Sequence, residues 1–227
     1  MKEKEKKSRL LDMFEILNKS FGPQHWWPAD SLDEMVTGAI LTQNVSWSNV
    51  EKALASLKKN GIDSFEAILA ADTILLEGCI KSAGFYRQKA KRLKTAAKFF
   101  LSKRFIKRDD LLCLNGIGKE TADSIMLYGL NEPVFVVDAY TKRILTRHKI
   151  TQKTDYDSIQ KLFEDNLPKS ITLFNQYHAL LVKLAKLFCK RKPWCNRCPL
   201  AIDLLENRIP FPTENFKSTD YLLLNTR

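Results

Sequence analysis

Apolar side chains recur along this chain at three- and four-residue spacing, and few stretches alternate between apolar and polar positions. The first pattern is typical of amphipathic helices, whereas the second would indicate strands. Glycine and proline lie mainly between the periodic segments, where they end helices. The segments with helical spacing are residues 10–19, 31–41, 48–59, 65–71, 89–100 and 156–167. This pattern predicts an all-α protein of two lobes with a cleft between them.

Two glycines, Gly116 and Gly118, separate two predicted helices. Residues 108–114 predict a short helix, and residues 119–130 carry apolar side chains at helical spacing. A glycine pair lets the backbone turn tightly with its amides exposed, and the N-terminus of the following helix attracts phosphate. Lys119 adds a cation beside those amides. The segment therefore predicts a helix-hairpin-helix that binds the DNA backbone without reading bases.

A single aspartate, Asp138, follows a short apolar run at residues 134–137 and precedes a new helical pattern. This position predicts an N-cap whose carboxylate bonds the amides of the first helical turn. The helix dipole and the nearby cations would keep the carboxylate ionised. A capping aspartate is usually structural, so the residue alone does not specify a chemistry. Its position shortly after the glycine hairpin suggests a functional role as well.

The hairpin and the aspartate together resemble the endonuclease III superfamily of helix-hairpin-helix DNA glycosylases. The signature of that family is LxGIGxxTA, followed by an aspartate in a VVD-like context. The residues that match in identity and order are Leu114, Gly116, Ile117, Gly118, Thr121, Ala122 and Asp138. The resemblance covers roughly residues 10–200. It implies an enzyme that flips a damaged base out of the duplex and breaks its glycosidic bond.

The resemblance also assigns roles to residues. Asp138 becomes the catalytic carboxylate, because a negative charge stabilises the positive sugar that forms as the bond breaks. The family fills the gap left by the flipped base from the LTQN segment, which implies Gln43 and Asn44. The implied DNA-binding residues are Gly116, Ile117, Gly118, Lys119, Thr121, Lys142 and Arg143.

Lobe boundaries follow from the same resemblance. Residues 30–130 are expected to form a central helical lobe that ends in the helix-hairpin-helix. Residues 1–29 and 131–227 are expected to form a second, discontinuous helical lobe, which carries a cysteine-containing loop near its C-terminus.

One position departs from the bifunctional members of the family. Those members carry a lysine two residues after the second hairpin glycine, where it attacks the sugar and forms a Schiff base. Here that position is Glu120, and Lys119 is rotated about 100° away from it on the helix. The departure predicts a monofunctional glycosylase without AP lyase activity.

Three of the four tryptophans lie in the motif WWP and shortly after LTQN. Core packing would explain any one of them. A tandem pair before proline is harder to bury, because the two rings point in different directions and the proline fixes the exit of the chain. We therefore expect Trp26, Trp27, Pro28 and Trp47 to form the base pocket.

The order of motifs WWP, LTQN, GFYRQKAKRL, GIGKE and VVD is similar to the 3-methyladenine DNA glycosylase branch of the superfamily. Alkylated purines such as 3-methyladenine carry positive charge, which an aromatic wall favours by cation-π attraction. The resemblance therefore implies excision of alkylated purines. The base-excision chemistry itself is expected to require no cofactor.

Basic residues are concentrated between positions 84 and 98, where six cations occur without an acid. They are Arg87, Lys89, Lys91, Arg92, Lys94 and Lys98. Interleaved with apolar residues, they predict a helix with a basic stripe for phosphate, and a solvated helix face is the alternative. The chain has 37 basic and 26 acidic residues, a net charge of +11, which fits damaged double-stranded DNA as the partner.

Cys189, Cys195 and Cys198 form the pattern C-x5-C-x2-C. Many members of the superfamily hold a [4Fe-4S] cluster with C-x6-C-x2-C-x5-C, but here the first gap is one residue shorter and Leu204 stands at the fourth position. Three thiolates leave one iron without a protein ligand, unless a water, an external ligand or Asp203 supplies it. Zinc meets the same shortage. The sequence leaves open an incomplete metal site and the remnant of a lost one.

Two other functions stay open. A glycosylase for oxidised or mismatched pyrimidines would share the fold and Asp138, but it would need no preference for cationic bases. A noncatalytic helix-hairpin-helix DNA-binding module would explain the charge and the hairpin, but it has no need of Asp138. The three histidines, His25, His148 and His178, show no ligand spacing and are assigned no chemistry.

No stretch approaches the roughly 20 apolar residues that span a bilayer. The N-terminal sequence MKEKEKKSRL is a charge run without the apolar core of a signal peptide. We therefore expect no membrane association and a cytoplasmic monomer that joins the nucleoid when it binds DNA.

Overall fold

The computed structural model describes residues 3–212, and this part of the chain is helical, without a β-strand. The all-α prediction is therefore confirmed. The helices are α1 (Glu3–Phe21), α2 (Leu32–Leu41), α3 (Trp47–Lys59), α4 (Phe65–Ala70), α5 (Thr73–Cys79), α6 (Tyr86–Ser102), α7 (Arg108–Leu112), α8 (Lys119–Ser124), α9 (Ala139–Arg147), α10 (Tyr156–Asn166), α11 (Ile171–Leu187) and α12 (Ala201–Glu206). Two 3-10 turns, Lys81–Ala83 and Cys195–Arg197, and a π-helical turn, Ile125–Gly129, lie between them.

Short polar side chains fix where many of these helices begin. Each accepts a hydrogen bond from an amide of the first turn, which contributes about 1 kcal/mol. The residues that do so are Ser31, Ser64, Asp72, Asp138, Asp155 and Ser170. The predicted N-cap at Asp138 is thus confirmed.

The chain divides into two compact units. The first unit, Trp27–Glu132, contains α2 to α8 and the helix-hairpin-helix. Its core is built from the apolar faces of α2, α3 and α6. The buried side chains include Met35, Ile40, Leu41, Val50, Leu57, Leu93, Ala97 and Phe100.

The second unit combines the described residues before Trp27 with those from Pro133 onward. Helix α11 supplies much of its core, with Phe174, Tyr177 and Leu181 fully buried. The rings of Phe135 and Phe163 stack with centroids 3.7 Å apart, and Tyr177 lies at their edge. No helix of the described residues is long and apolar enough to cross a membrane.

Candidate functional site

The hairpin between α7 and α8 is held by an ion pair and a turn. Arg108 donates to both carboxylate oxygens of the fully buried Asp123, at 2.5 and 2.9 Å, which ties the two helices together. Ile117 is buried and its amide donates to the carbonyl of Leu114 at 3.0 Å, which closes the turn. The predicted helix-hairpin-helix is therefore present.

Glycine stands at the two hairpin positions for different reasons. Gly116 has φ of +83°, and a Cβ there would overlap the guanidinium of Arg92. Gly118 has an ordinary φ of −87°, and a Cβ there would meet nothing within 4 Å. Gly118, Lys119 and Glu120 are exposed at the start of α8. The fold requires the first glycine, whereas the second leaves a helix N-terminus open to a phosphate.

The LTQN segment is joined to the hairpin through Gln43. Its amide donates to the carbonyl of Gly116 at 2.9 Å and to the hydroxyl of Thr121 at 3.0 Å. Its carbonyl accepts from Arg92 at 2.6 Å. Asn44, by contrast, is exposed and has φ of +57°. Of the two residues predicted to fill the gap, Asn44 is therefore at the tip of the loop, and Gln43 supports it from within.

Lys89 does not belong to an exposed basic stripe, so that prediction is wrong for this residue. Its side chain is buried, with 1% exposure, and Nζ donates to the carbonyls of Leu41, Gln43 and Ala83 at 2.7, 2.9 and 2.8 Å. Burial and the charge of Arg92 lower its pKa to about 8, so the ammonium is protonated at neutral pH. The exposed cations of this helix are Arg87, Lys91 and Lys98.

Phe85 is a surface feature that was not predicted as a site residue. It is 68% exposed and directly precedes α6, with φ of +46°. A left-handed backbone is unusual for a bulky side chain and costs about 1–3 kcal/mol. An aromatic residue after glycine in a run of cations is the sequence signal that could have identified it.

An aromatic cluster lies in the first unit. The ring of Trp27 meets Trp47 edge-on at a centroid distance of 5.2 Å, and it meets the ring of Tyr128 at 5.5 Å with a tilt of 48°. Gly38 makes room for it, because a Cβ there would lie 3.3 Å from Nε1 of Trp27. The third predicted pocket aromatic, Trp26, belongs to the second unit, where Nζ of Lys186 lies 6.0 Å from its ring centroid.

Pro28 and Trp47 also line a cavity of about 480 Å³ within the first unit. Its apolar lining comes from α3 and the residues after it, and the indole of Trp47 donates to Glu51 at 2.9 Å. Among the described lining residues Lys58 is the one cation, against four carboxylates. The carboxylates belong to Asp30, Glu34, Glu51 and Asp63. This arrangement favours a positively charged occupant.

Asp138 lies in the second unit, at the start of α9. One oxygen accepts from the amide of Thr141 at 2.7 Å, and the other lies 3.7 Å from Nε2 of His178 on α11. Burial disfavours the charge, but His178 and Thr141 outweigh it and hold the pKa of Asp138 below its usual value. The carboxylate is therefore ionised at neutral pH although its residue is only 8% exposed.

His178 was assigned no chemistry from the sequence, yet it faces the candidate catalytic carboxylate. The contact joins residues that are 40 positions apart, so no local spacing could have revealed it. The two predicted cations beside Asp138 are both half-buried on α9. Lys142 follows the first turn, and Arg143 donates to the carbonyl of Cys189 at 2.8 Å.

The three cysteines near the C-terminus are buried around a cavity of about 10 Å³, which Leu204 also lines. Burial raises the pKa of Cys195 to about 11 and that of Cys198 to about 12. Leu204 packs against Cys195 and Ile209 in a small apolar cluster. Without a bound metal ion, the thiols of Cys195 and Cys198 are therefore neutral at pH 7.

Asp203 does not supply the missing ligand. Arg9 donates to both of its oxygens at 2.8 Å, and Nδ1 of His148 lies 2.5 Å from one of them. Among the described residues, no group of three or more His, Cys, Asp or Glu side chains could hold a metal ion. The residues at this position therefore do not fit a four-thiolate iron-sulfur cluster.

Arginines hold the cysteine loop instead. Arg147 donates to Sγ of Cys189 at 3.2 Å and to the carbonyls of Lys190 and Arg191 at 2.6 and 3.0 Å. With the contact from Arg143, these bonds fix the loop to the last two turns of α9.

A glycine hairpin open at a helix N-terminus and a buried, ionised aspartate that caps a later helix are features of the helix-hairpin-helix proteins that act on DNA. The family model for HhH-GPD superfamily base excision DNA repair proteins matches residues 37–169. Since this is more than half of the chain, the chain belongs to that family, the endonuclease III-like DNA glycosylases.

Individual relatives agree in length and fold. A Methanocaldococcus jannaschii protein, named as a candidate DNA repair glycosylase, is 45% identical over 212 residues, which cover 87% of this chain and 96% of that protein. The H. pylori 3-methyladenine DNA glycosylase, bound to 1,N6-ethenoadenine, superposes with a TM-score of 0.69 at 28% identity, covering 82% of this chain and 98% of that one. A non-covalent endonuclease III–DNA complex gives a TM-score of 0.77 at 21% identity over 89% and 98%, which shows a shared fold.

Proposed function

We propose that this protein is a monofunctional DNA glycosylase that hydrolyses the N-glycosidic bond of alkylated purines in double-stranded DNA. The observation that carries the proposal is the buried, ionised Asp138 in a chain that also holds the hairpin of the family. A noncatalytic DNA-binding module would need only an N-cap at this position, and a cap does not require a buried charge, which burial alone disfavours.

The chemistry follows from the charge of Asp138. As the base departs, the sugar becomes positively charged, and a fixed anion in a poorly solvated site stabilises that charge more strongly than water would. The bond from Thr141 holds one oxygen in place, and His178 faces the other. The carboxylate and a water molecule are sufficient for this hydrolysis, so the proposed mechanism requires no cofactor.

The substrate class rests on the aromatic and acidic surroundings of Trp47. An alkylated purine with positive charge gains cation-π energy from an indole face, and the carboxylates around the neighbouring cavity add a favourable field. The likeness to the H. pylori 3-methyladenine DNA glycosylase, at 28% identity, supports the same class. Several relatives named endonuclease III, including that of Bacillus subtilis at 30% identity over 60% of this chain, keep a pyrimidine glycosylase as the second candidate.

A panel of duplexes separates the two candidates. Each duplex carries one damaged base, alkylated purine, oxidised pyrimidine or mismatched thymine, and base release is measured with the purified full chain. Release confined to alkylated purines supports the proposal. Release of thymine glycol or mismatched thymine, with alkylated purines untouched, favours the second candidate.

Trp47→Leu is expected to slow release of a cationic alkylated purine by about 2- to 30-fold, since one cation-π contact contributes about 0.5–2 kcal/mol. Release of a neutral damaged base should change less, because only the charge-dependent part of the contact is specific to cations. Single-turnover rates on both duplexes give the comparison. Trp194→Leu is the matched control, since Trp194 lies outside the candidate pocket and is 57% exposed. Equal slowing on both bases would contradict a cation-selective wall.

Glu120 is expected to leave the protein without strand-cleaving activity. Borohydride reduction during turnover should trap no covalent protein–DNA adduct, because a carboxylate forms no Schiff base. Glu120→Lys places an amine at this exposed position at the start of α8 and is expected to yield a trapped adduct. A trapped adduct with the unsubstituted protein would show that another lysine acts as a lyase nucleophile.

A further inference from the structure

Two exposed turns of the first unit share a strained backbone. Asn44 ends the LTQN segment with φ of +57°, and Phe85 precedes α6 with φ of +46°. Left-handed conformations of non-glycine residues cost about 1–3 kcal/mol each, and they persist only where the surrounding structure imposes them. Solvent contact cannot hold either backbone in this conformation, so buried contacts of the two turns must hold it.

The group beneath both turns is the ammonium of Lys89. It donates to the carbonyls of Leu41 and Gln43, which precede Asn44, and to the carbonyl of Ala83, which precedes Gly84 and Phe85. A lysine ammonium has three donors, and all three are used at distances of 2.7 to 2.9 Å. A single buried charge thus bonds the backbone of both segments.

A second tie reaches the same loop from α6. Arg92, one turn after Lys89, donates to the side chain of Gln43, which in turn bonds the hairpin at Gly116 and Thr121. The Asn44 turn is therefore fixed both to the Phe85 turn, through Lys89, and to the phosphate-binding hairpin, through Arg92.

We propose that Lys89 is a positioning residue that holds the Asn44 and Phe85 turns as one edge for entry into a damaged duplex. The inference rests on the proposed function, because it takes these exposed tips to meet DNA where a base has left the stack. Lys89 itself does not contact DNA, since it is buried. Asparagine can occupy the space of a lost base, and phenylalanine can stack on its neighbours.

The test measures damage discrimination by the full chain. Fluorescence anisotropy gives its affinities for a duplex with a tetrahydrofuran abasic-site analogue and for the same duplex undamaged, at one salt concentration. The wild type is expected to prefer the abasic duplex. Lys89→Met keeps the length of the side chain but removes the ammonium, and it should lower the affinity ratio at least about fivefold, as loss of a stacking contact does.

The affinity of Lys89→Met for undamaged DNA is expected to stay close to the wild-type value, because exposed cations make the phosphate contacts. Lys91→Met is the matched control: it removes one exposed charge from the same helix and should leave the ratio unchanged. A Lys89→Met protein that keeps the wild-type ratio would overturn the inference and leave Lys89 a purely structural residue.

A double-mutant cycle applies even if Lys89→Met does not fold. Asn44→Gly and Phe85→Gly remove exposed side chains and leave a residue that adopts a positive φ without strain, and their effects on the ratio should be coupled by more than about twofold if one edge carries both tips. Additive effects would contradict the inference. A wild type without any preference for the abasic duplex would also overturn the inference, whereas failure of the proposed function would appear as an absence of base release in the duplex panel.

Discussion

Asp138→Asn is expected to lower the rate of base release at least about 100-fold, the effect typical of removing one group that stabilises transition-state charge. Asparagine is as good an N-cap as aspartate, so its side-chain oxygen should still accept from the amide of Thr141. The substitution removes the negative charge and little else. Single-turnover release from an alkylated duplex measures the loss, and anisotropy with the same duplex checks that DNA binding is retained.

Asp155→Asn is the matched control for this experiment. Asp155 caps α10 in the same way, with its carboxylate accepting from the amide of Ser158 at 2.9 Å, but it is exposed. Its replacement should leave base release unchanged. An equal loss of activity in both variants would indicate that the capping geometry matters and the charge of Asp138 does not.

The contribution of Asp138 to the stability of the fold is expected to depend on pH in one direction. The pKa of Asp138 lies below the unfolded value of about 4, so the ionised group stabilises the fold above that pH. This stabilisation is lost as the pH falls through the folded pKa. The unfolding free energy of the wild type minus that of Asp138→Asn should therefore fall as the pH drops below about 4, and it should remain constant from pH 5 to 7. A difference that varies around neutrality would assign the titration to another group.

Local motifs predict only part of this molecule. Helices with one apolar face, such as α3 and α10, agree with the predicted segments within one or two residues. Helix α11 was not predicted, because it is buried on several sides and its apolar residues show no single stripe. Helix α1 begins at Glu3, seven residues before the predicted start at 10, because its Lys and Glu residues favour helix without any apolar period.

The predicted helix 119–130 shows where packing decides the backbone. It changes to a π-helical turn at Ile125–Gly129, with the amide of Leu130 bonded to the carbonyl of Ile125 at 3.0 Å. A Cβ at Gly129 would lie 2.8 Å from Leu32, so α2 passes close to this turn. Neither contact is encoded in the spacing of the segment itself.

The candidate site likewise contains residues that short motifs predict and residues that they do not. The hairpin and Asp138 could be located from short motifs, because turn and cap chemistry is local. The acceptors of Lys89 are 48, 46 and 6 residues away, and the sequence shows only one cation among six. The partner of Asp138, His178, is likewise remote. Residues that act through tertiary contacts become visible only when the helices are placed.

Gly116→Ala is expected to have the largest effect on stability among the hairpin substitutions. A left-handed backbone at alanine costs about 1–3 kcal/mol, and the new methyl group must also displace Arg92. Because Arg92 bonds Gln43, the displacement should loosen the LTQN segment as well. Thermal unfolding is expected to show a clear fall in Tm, and affinity for undamaged DNA should fall with it.

Gly118→Ala separates folding from DNA binding at the same hairpin. Its φ of −87° suits alanine and the space around it is open, so the Tm should stay near the wild-type value. A methyl group at an open helix N-terminus hinders the approach of a phosphate, so DNA affinity is expected to fall although the fold is intact.

The double variant Gly116→Ala with Arg92→Ala divides the cost at position 116 into its two causes. Removing the guanidinium relieves the overlap but not the backbone strain. Gly116→Ala should therefore cost less stability when it is added to Arg92→Ala than when it is added to the wild type. Full recovery would mean that the left-handed conformation costs nothing here, and no recovery would mean that Arg92 does not pack against the glycine. A Gly116→Ala protein that melts like the wild type would contradict the hairpin geometry itself, because alanine does not adopt φ of +83° without strain.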